Sequence, residues 1–233
     1  MGNLKKLALG AAFSVAVAAG AQAAVINGSD FTNGLSAQTI GGLNWTASGG
    51  GGTFQQKTLG TPSYTGVGIS GGRTGDEIDI GETLSASSAQ AFAVSSITLG
   101  VLFNGPEWDD VNEVAQVSIN LGAMIFTLTA TGDTTAVLSG TGGTVTNLSP
   151  AISSGGAVWR IDFNPALSPV TSIAFTPLAG LCGGVGGACT NQSDFTLVQL
   201  TTVPEPASLA VLGIGLLGLG LARRARGGAP AAV

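Results

Sequence analysis

Two short acidic runs carry the side chains of this 233-residue chain best suited to chemistry. "GDEIDIGE" holds Asp76, Glu77, Asp79 and Glu82, and "GPEWDDVNE" holds Glu107, Asp109, Asp110 and Glu113. Carboxylates at loop ends, with loop carbonyls and Asn112, are the hard oxygen ligands Ca²⁺ prefers. Asp76, Asp79, Glu82, Asp109, Asp110 and Glu113 therefore form a candidate calcium set. Alternation puts Ile78 and Ile80 inward and Glu77 with Asp79 outward. No EF-hand or nonapeptide spacing is present, and a solvated acidic loop is the competing reading. A glycosidase would need two such acids about 5–10 Å apart across a sugar. Trp108, between Glu107 and Asp109, is the candidate for stacking on a sugar, with packing over its own loop as the competing role. Trp159 faces inward by alternation and belongs to the core.

The chain has no histidine. Gly68-Ile69-Ser70-Gly71-Gly72 spells G-x-S-x-G, but a Ser-His-acid hydrolase lacks its base here. Gly66, Gly68 and Gly71 spell G-x-G-x-x-G without the following helix that would bind an anion. Both matches read as one glycine-rich turn. No catalytic residue is assigned, and the chain is read as a non-enzyme, with a carboxylate-based glycosidase as the remaining enzymatic option.

Cys182 and Cys189, separated by four glycines among six residues, read as a local disulfide in an exported chain. A two-thiol metal site would lack further Cys or His ligands.

These residues sit among short alternating strands. In "NEVAQVSINL", Ala115, Val117, Ile119 and Leu121 share one face. Met124, Phe126 and Leu128 continue after Gly122, as in a hairpin. "SSITLGVLF" groups Ile97, Leu99, Val101 and Phe103, and "AVWRIDF" groups Ala157, Trp159, Ile161 and Phe163. Eleven or twelve such strands, with no helical periodicity between the chain ends, predict an all-β domain. The expected form is an antiparallel β-sandwich of jelly-roll type, with a barrel as the alternative.

Both ends differ from the middle. Lys5 and Lys6, the apolar run Leu7–Ala19 and Ala21-Gln22-Ala23 form a secretory signal peptide over residues 1–23, cleaved after Ala23. The apolar run is too short for a comfortable span. At the other end, Pro204-Glu205-Pro206 precedes an apolar run, Ala207–Ala222, followed by Arg223, Arg224 and Arg226. Sixteen helical residues cover about 24 Å, just under the roughly 30 Å hydrocarbon core. The arginines place that end in the cytoplasm and the bulk of the chain outside. A helix is expected at each end: a signal-peptide helix and a C-terminal hydrophobic, transmembrane one. Residues 24–203 form the ectodomain, 204–226 the C-terminal signal and 227–233 a tail. The ectodomain has a net charge of −9, twelve carboxylates against Lys57, Arg73 and Arg160. That charge excludes a nucleic-acid partner.

The order Pro-Glu-Pro, short glycine-punctuated apolar helix, arginine cluster resembles the PEP-CTERM sorting signal. The resemblance implies a Gram-negative bacterium that makes extracellular polysaccharide. It also implies an exosortase that recognises the tail at the inner membrane and cuts near Pro-Glu-Pro. The precursor is then tethered to the inner membrane, and the product reaches the cell surface or medium. "YTGVGISGGRTGDEIDIGETL", "SSITLGVLFNGPEWDDVNEVAQVSI" and "TNQSDFTLVQL" are similar to the body of one group of such proteins, predicted surface β-sandwiches. The expected role is structural or adhesive, in biofilm or exopolysaccharide. The alternatives are a calcium-dependent carbohydrate-binding module and the glycosidase.

Overall fold

A computed structural model describes residues 23–60, 63–105, 111–149, 157–182 and 193–203, together with Gly215, Leu217 and Gly218. Twelve strands run through them: β1 (Ala24–Asn27), β2 (Ala37–Ile40), β3 (Leu43–Ser48), β4 (Phe54–Leu59), β5 (Tyr64–Ile69), β6 (Thr83–Gly100), β7 (Val111–Ile119), β8 (Met124–Gly132), β9 (Thr135–Ser139), β10 (Thr144–Asn147), β11 (Trp159–Cys182) and β12 (Thr196–Val203). Helical structure within the described ectodomain is limited to 3₁₀ turns, such as Gly28–Asp30 and Asn120–Gly122.

All pairings are antiparallel and join into one sheet, in the order β4-β5-β12-β6-β11-β7-β8-β9. The two long strands make that sheet curl. The first half of β6 pairs with β3 over Thr83–Ser87, and its second half pairs with β12 over Ala93–Gly100. Strand β11 does the same, pairing with β10 at Trp159–Asp162 and with β7 at Ile173–Cys182. Between the halves the β6–β11 register slips, so that Ser87 faces Ser172 but Phe92 already faces Val170. Pro165 and Pro169 fall in this stretch, and neither can donate to the ladder. The sheet bends there and folds over on itself. The expected all-β antiparallel class is what the chain adopts, as one curled sheet.

The side chains enclosed by the curl come from both halves. Trp45, Leu84, Val117, Phe126 and Phe175 from one half meet Val67, Ile97, Trp159, Ile161 and Leu200 from the other in one cluster. Phe31 packs edge-on against both Trp45 and Phe54, with centroids 5.1 Å apart in each pair. Trp159 is buried as its alternation required, and its indole N–H donates to the Leu102 carbonyl at 2.9 Å. The "SSITLGVLF" grouping divides instead. Ile97 and Leu99 enter the main core, whereas Val101 turns through a positive φ of 58° into a second cluster with Leu59, Val158 and Val198.

Three expectations are corrected or lie elsewhere. Flanking helices are not supported: helical geometry in the described parts of the ends is confined to Gly215, Leu217 and Gly218. No helix among the described residues is long and apolar enough to cross a membrane. No disulfide is found among them either, since Cys182 ends β11 and Cys189 lies outside the described residues.

Candidate functional site

The first acidic run is folded into the domain rather than displayed. Glu77, Asp79 and Glu82 are all buried, while Ile80 is 41% exposed, so that of the expected alternation only the inward Ile78 holds. The cause is the Glu77–Ile78 peptide, anchored at both its N–H and its carbonyl. The Ile78 N–H donates to the Phe195 carbonyl at 2.7 Å, and the Ile69 N–H to the Glu77 carbonyl at 2.9 Å. The segment is thereby laid across the end of β5. Glu77 and Asp76 both reach Lys57 on β4, Asp76 at 3.1 Å. Burial alone would lower the Lys57 ammonium, but its bonds to Glu77 and Asp76 outweigh that and hold it above its ordinary 10.5.

Asp79 serves as an internal cap. Its Oδ2 accepts from the Arg73 N–H at 2.7 Å, the Thr74 N–H at 3.0 Å and the Thr74 hydroxyl at 3.2 Å. Its own N–H donates to Glu82 Oε2 at 2.9 Å, and the Glu82 N–H returns to the Asp79 carbonyl at 2.9 Å. Glu82 Oε1 has no hydrogen-bond partner and is fully buried. Burial pushes the Glu82 carboxyl up, the Asp79 N–H pulls it back, and the Asp79 charge adds to the rise; the result is about 7. Gly50 and Gly72 close over this pair, since a Cβ on either would collide with Glu82 Oε1.

The glycines that spelled nucleotide and nucleophile motifs have a packing role. Gly66 and Gly68 lie within β5, not in a turn, on the face opposite Val67 and Ile69. A Cβ on Gly68 would fall 2.5 Å from the Asp76 carbonyl oxygen and inside contact distance of the Glu77 Cα. Close backbone approach is the usual reason for glycine inside a strand.

From the second run, Glu113 is buried on β7 and bonds the Phe103 N–H, and its own N–H donates to the Phe103 carbonyl at 3.1 Å. Asn112 Oδ1 accepts from the Gly105 N–H at 2.7 Å. Together they fasten the 101–105 segment to β7. Trp108, Asp109 and Asp110 lie outside the described residues. Among the described residues, no three or more carboxylate, thiol or imidazole groups come together in a way that could hold a metal. Asp76, Asp79, Glu82 and Glu113 each engage nearby protein donors.

Sequence reasoning missed a groove on the outer side of β5, β12 and β6. Its volume is about 240 Å³, and Tyr64, Thr98, Arg160, Gln199 and Asn27 line it. Gln199 Nε2 donates to Asn27 Oδ1 at 3.0 Å, and Arg160 is held by Asp162 at 2.7 Å. A ring, two planar amides and a fixed guanidinium thus share one concave surface. The signal was faint, because the contributors lie far apart in sequence.

At the bend of β6 the first and last of the twelve strands meet. Ala24 of β1 pairs with Thr202 of β12, and Ala23 is exposed beside it. A cavity of about 600 Å³ opens there, lined by Ala24, Gly41, Leu43, Gln90, Phe92 and Thr202. Residues 202–226 match the PEP-CTERM protein-sorting motif. The chain carries a PEP-CTERM sorting signal. The motif implies an exported protein whose membrane-anchored precursor an exosortase recognises and processes for surface display. Its match begins two residues before Pro204, inside β12. The signal's own Pro204, Glu205, Pro206, Arg223, Arg224 and Arg226 lie outside the described residues, as does Ala21 of the signal-cleavage pattern. No curated protein and no solved structure matches the chain.

Proposed function

We propose that the mature protein is a non-enzymatic, structural or adhesive component of the cell surface or extracellular matrix that holds exopolysaccharide. The observation carrying this reading is the PEP-CTERM signal fused directly to the last strand of a β domain. Both ends of the domain leave at one corner, so a precursor held in the membrane at either end leaves the remaining faces turned outward. The groove around Tyr64 supports a glycan ligand. Sugars present apolar ring faces to aromatic side chains and hydroxyls to amide and guanidinium groups.

The test is retention of purified mature protein on polysaccharide from the producing cells. Tyr64→Ala and Arg160→Gln are expected to cut retention at least tenfold. Arg160→Gln, whose guanidinium is half-exposed, should leave the melting temperature within a few degrees. Equal retention by both variants would remove the groove from the account. The expected binding is the same in chelator and in millimolar calcium. Binding that required calcium would favour the calcium-dependent carbohydrate module instead, and release of shortened sugars would favour the glycosidase.

A further inference from the structure

The PEP-CTERM signal does not begin on free chain. At Thr202 the last strand is enclosed on both edges, by Ala24 of β1 and by Val94 of β6. The Thr202 hydroxyl accepts from the Ala24 N–H at 3.3 Å and donates to the Ala24 carbonyl at 3.4 Å, and the residue is 3% exposed. Leu200 and Thr201 are enclosed in the same way, between Ile26 with Val25 on one side and Ile97 with Ser96 on the other. Val203 still pairs with Ala93. Pro204 follows at once and has no N–H with which to extend the ladder. Recognition of an extended segment uses a free main-chain edge and pockets for its side chains. Residues 200–202 have no free edge, and Leu200 and Thr202 point into the protein.

We propose that β1 and β6 seal the residues on the amino side of Pro-Glu-Pro. Tail removal from the folded protein is then confined to peptide bonds on the carboxyl side of Pro204, and Thr202–Val203 set the reach between domain and enzyme. This rests on the reading that an exosortase removes the tail. In that step a peptide bond breaks: its carbonyl carbon passes to water or an acceptor amine, and the amine leaves with the tail. Strand β1 then has a second role. Once the signal peptide is cut after Ala23, the new amino-terminal strand remains beside β12 and keeps the product's carboxyl-terminal strand in place.

The experiment follows the full chain in the producing cell by the processed fraction and by the C-terminal residue of the product, from intact mass. Wild type is expected to end at Pro204 or later. Inserting Gly-Ser-Gly-Ser after Val203 should leave the cut at the same place relative to Pro-Glu-Pro, with processing at least as fast. Deleting Thr202 and Val203 draws the signal against the ladder and should lower the processed fraction at least tenfold. Adding the four-residue insertion to that deletion should restore it, which loss of folding would not allow. A wild-type product ending at or before Val203 overturns the proposal, as does a deletion variant processed at the wild-type rate, or one that the insertion fails to rescue. Replacing Pro204, Glu205 and Pro206 with alanine separates the two levels. If that variant is processed normally, the sorting reading itself fails; if it alone is blocked, only the sealed-strand proposal does.

Discussion

Gly68→Val is expected to lower the melting temperature by roughly 10 °C. The cause is steric. A Cβ at position 68 meets backbone, the Asp76 carbonyl and the Glu77 Cα, so no side-chain rotation can relieve it. The obstructing segment is fixed in turn, by the Ile69–Glu77 and Ile78–Phe195 hydrogen bonds and by Lys57 on Glu77. Making room means lifting residues 76–79 off β5 and exposing Ile78, Glu77 and Asp79 together. Overpacking of this kind costs about 3 kcal/mol or more, and each kcal/mol is worth roughly 2–4 °C in a domain of this size. Gly142→Ala is the control. Its Cβ would meet nothing within 4 Å, and the change should fall within about 0.5 kcal/mol. Thermal melts of the two variants beside wild type decide the matter.

The second large effect is a loss of stability as pH rises. Glu82 sits at about 7 in the folded domain against an ordinary 4.5. The folded protein therefore binds a proton more readily than the unfolded chain between those values. Linkage gives the sign: stability is complete below about pH 4.5 and drains away as pH rises through 7. The amount is on the order of 3 kcal/mol, seen as a fall in melting temperature of roughly 5–10 °C from pH 5 to pH 8. No histidine is present to titrate in that window. Glu82→Gln keeps an oxygen for the Asp79 N–H and removes the charge. Its melting temperature should stay nearly flat across the range and exceed wild type at pH 8. A wild-type curve no steeper than the variant's would show that the Glu82–Asp79 pair is not the source.

The comparison of these two sites shows what could be read from the sequence. Alternation in "NEVAQVSINL" and "AVWRIDF" located real strands and the buried faces of Val117, Trp159 and Ile161, because a sheet with one apolar face writes its period directly into the chain. Leu121, however, grouped with Val117, lies past the end of β7 and is 96% exposed. Alternation also failed at Glu77 and Asp79. That segment pairs only through isolated contacts with Ile69 and Phe195, and burial there is decided by what lies over it, not by a two-residue period. The bend that turns one sheet into two facing halves was also hidden. It depends on where β6 and β11 change partners, which local pattern does not encode. The glycines were visible but misleading: the signature-like spacing reflects close packing, with Gly68 and Gly71 against neighbouring backbone and Gly66 against the Thr196 side chain. The sorting signal was the most legible feature, because an enzyme must read it as linear sequence. Its first two matched residues, Thr202 and Val203, belong at the same time to β12, so strand and signal overlap there.

We propose that this β domain is exported as a doubly signalled precursor and trimmed at both ends. Intact mass of the protein recovered from producing cells, with and without their exosortase, tests it most directly. The expected product begins at Ala24 in both strains, lacks the apolar tail and arginines where the exosortase is present and retains them where it is absent. The same C-terminus in both strains would contradict it.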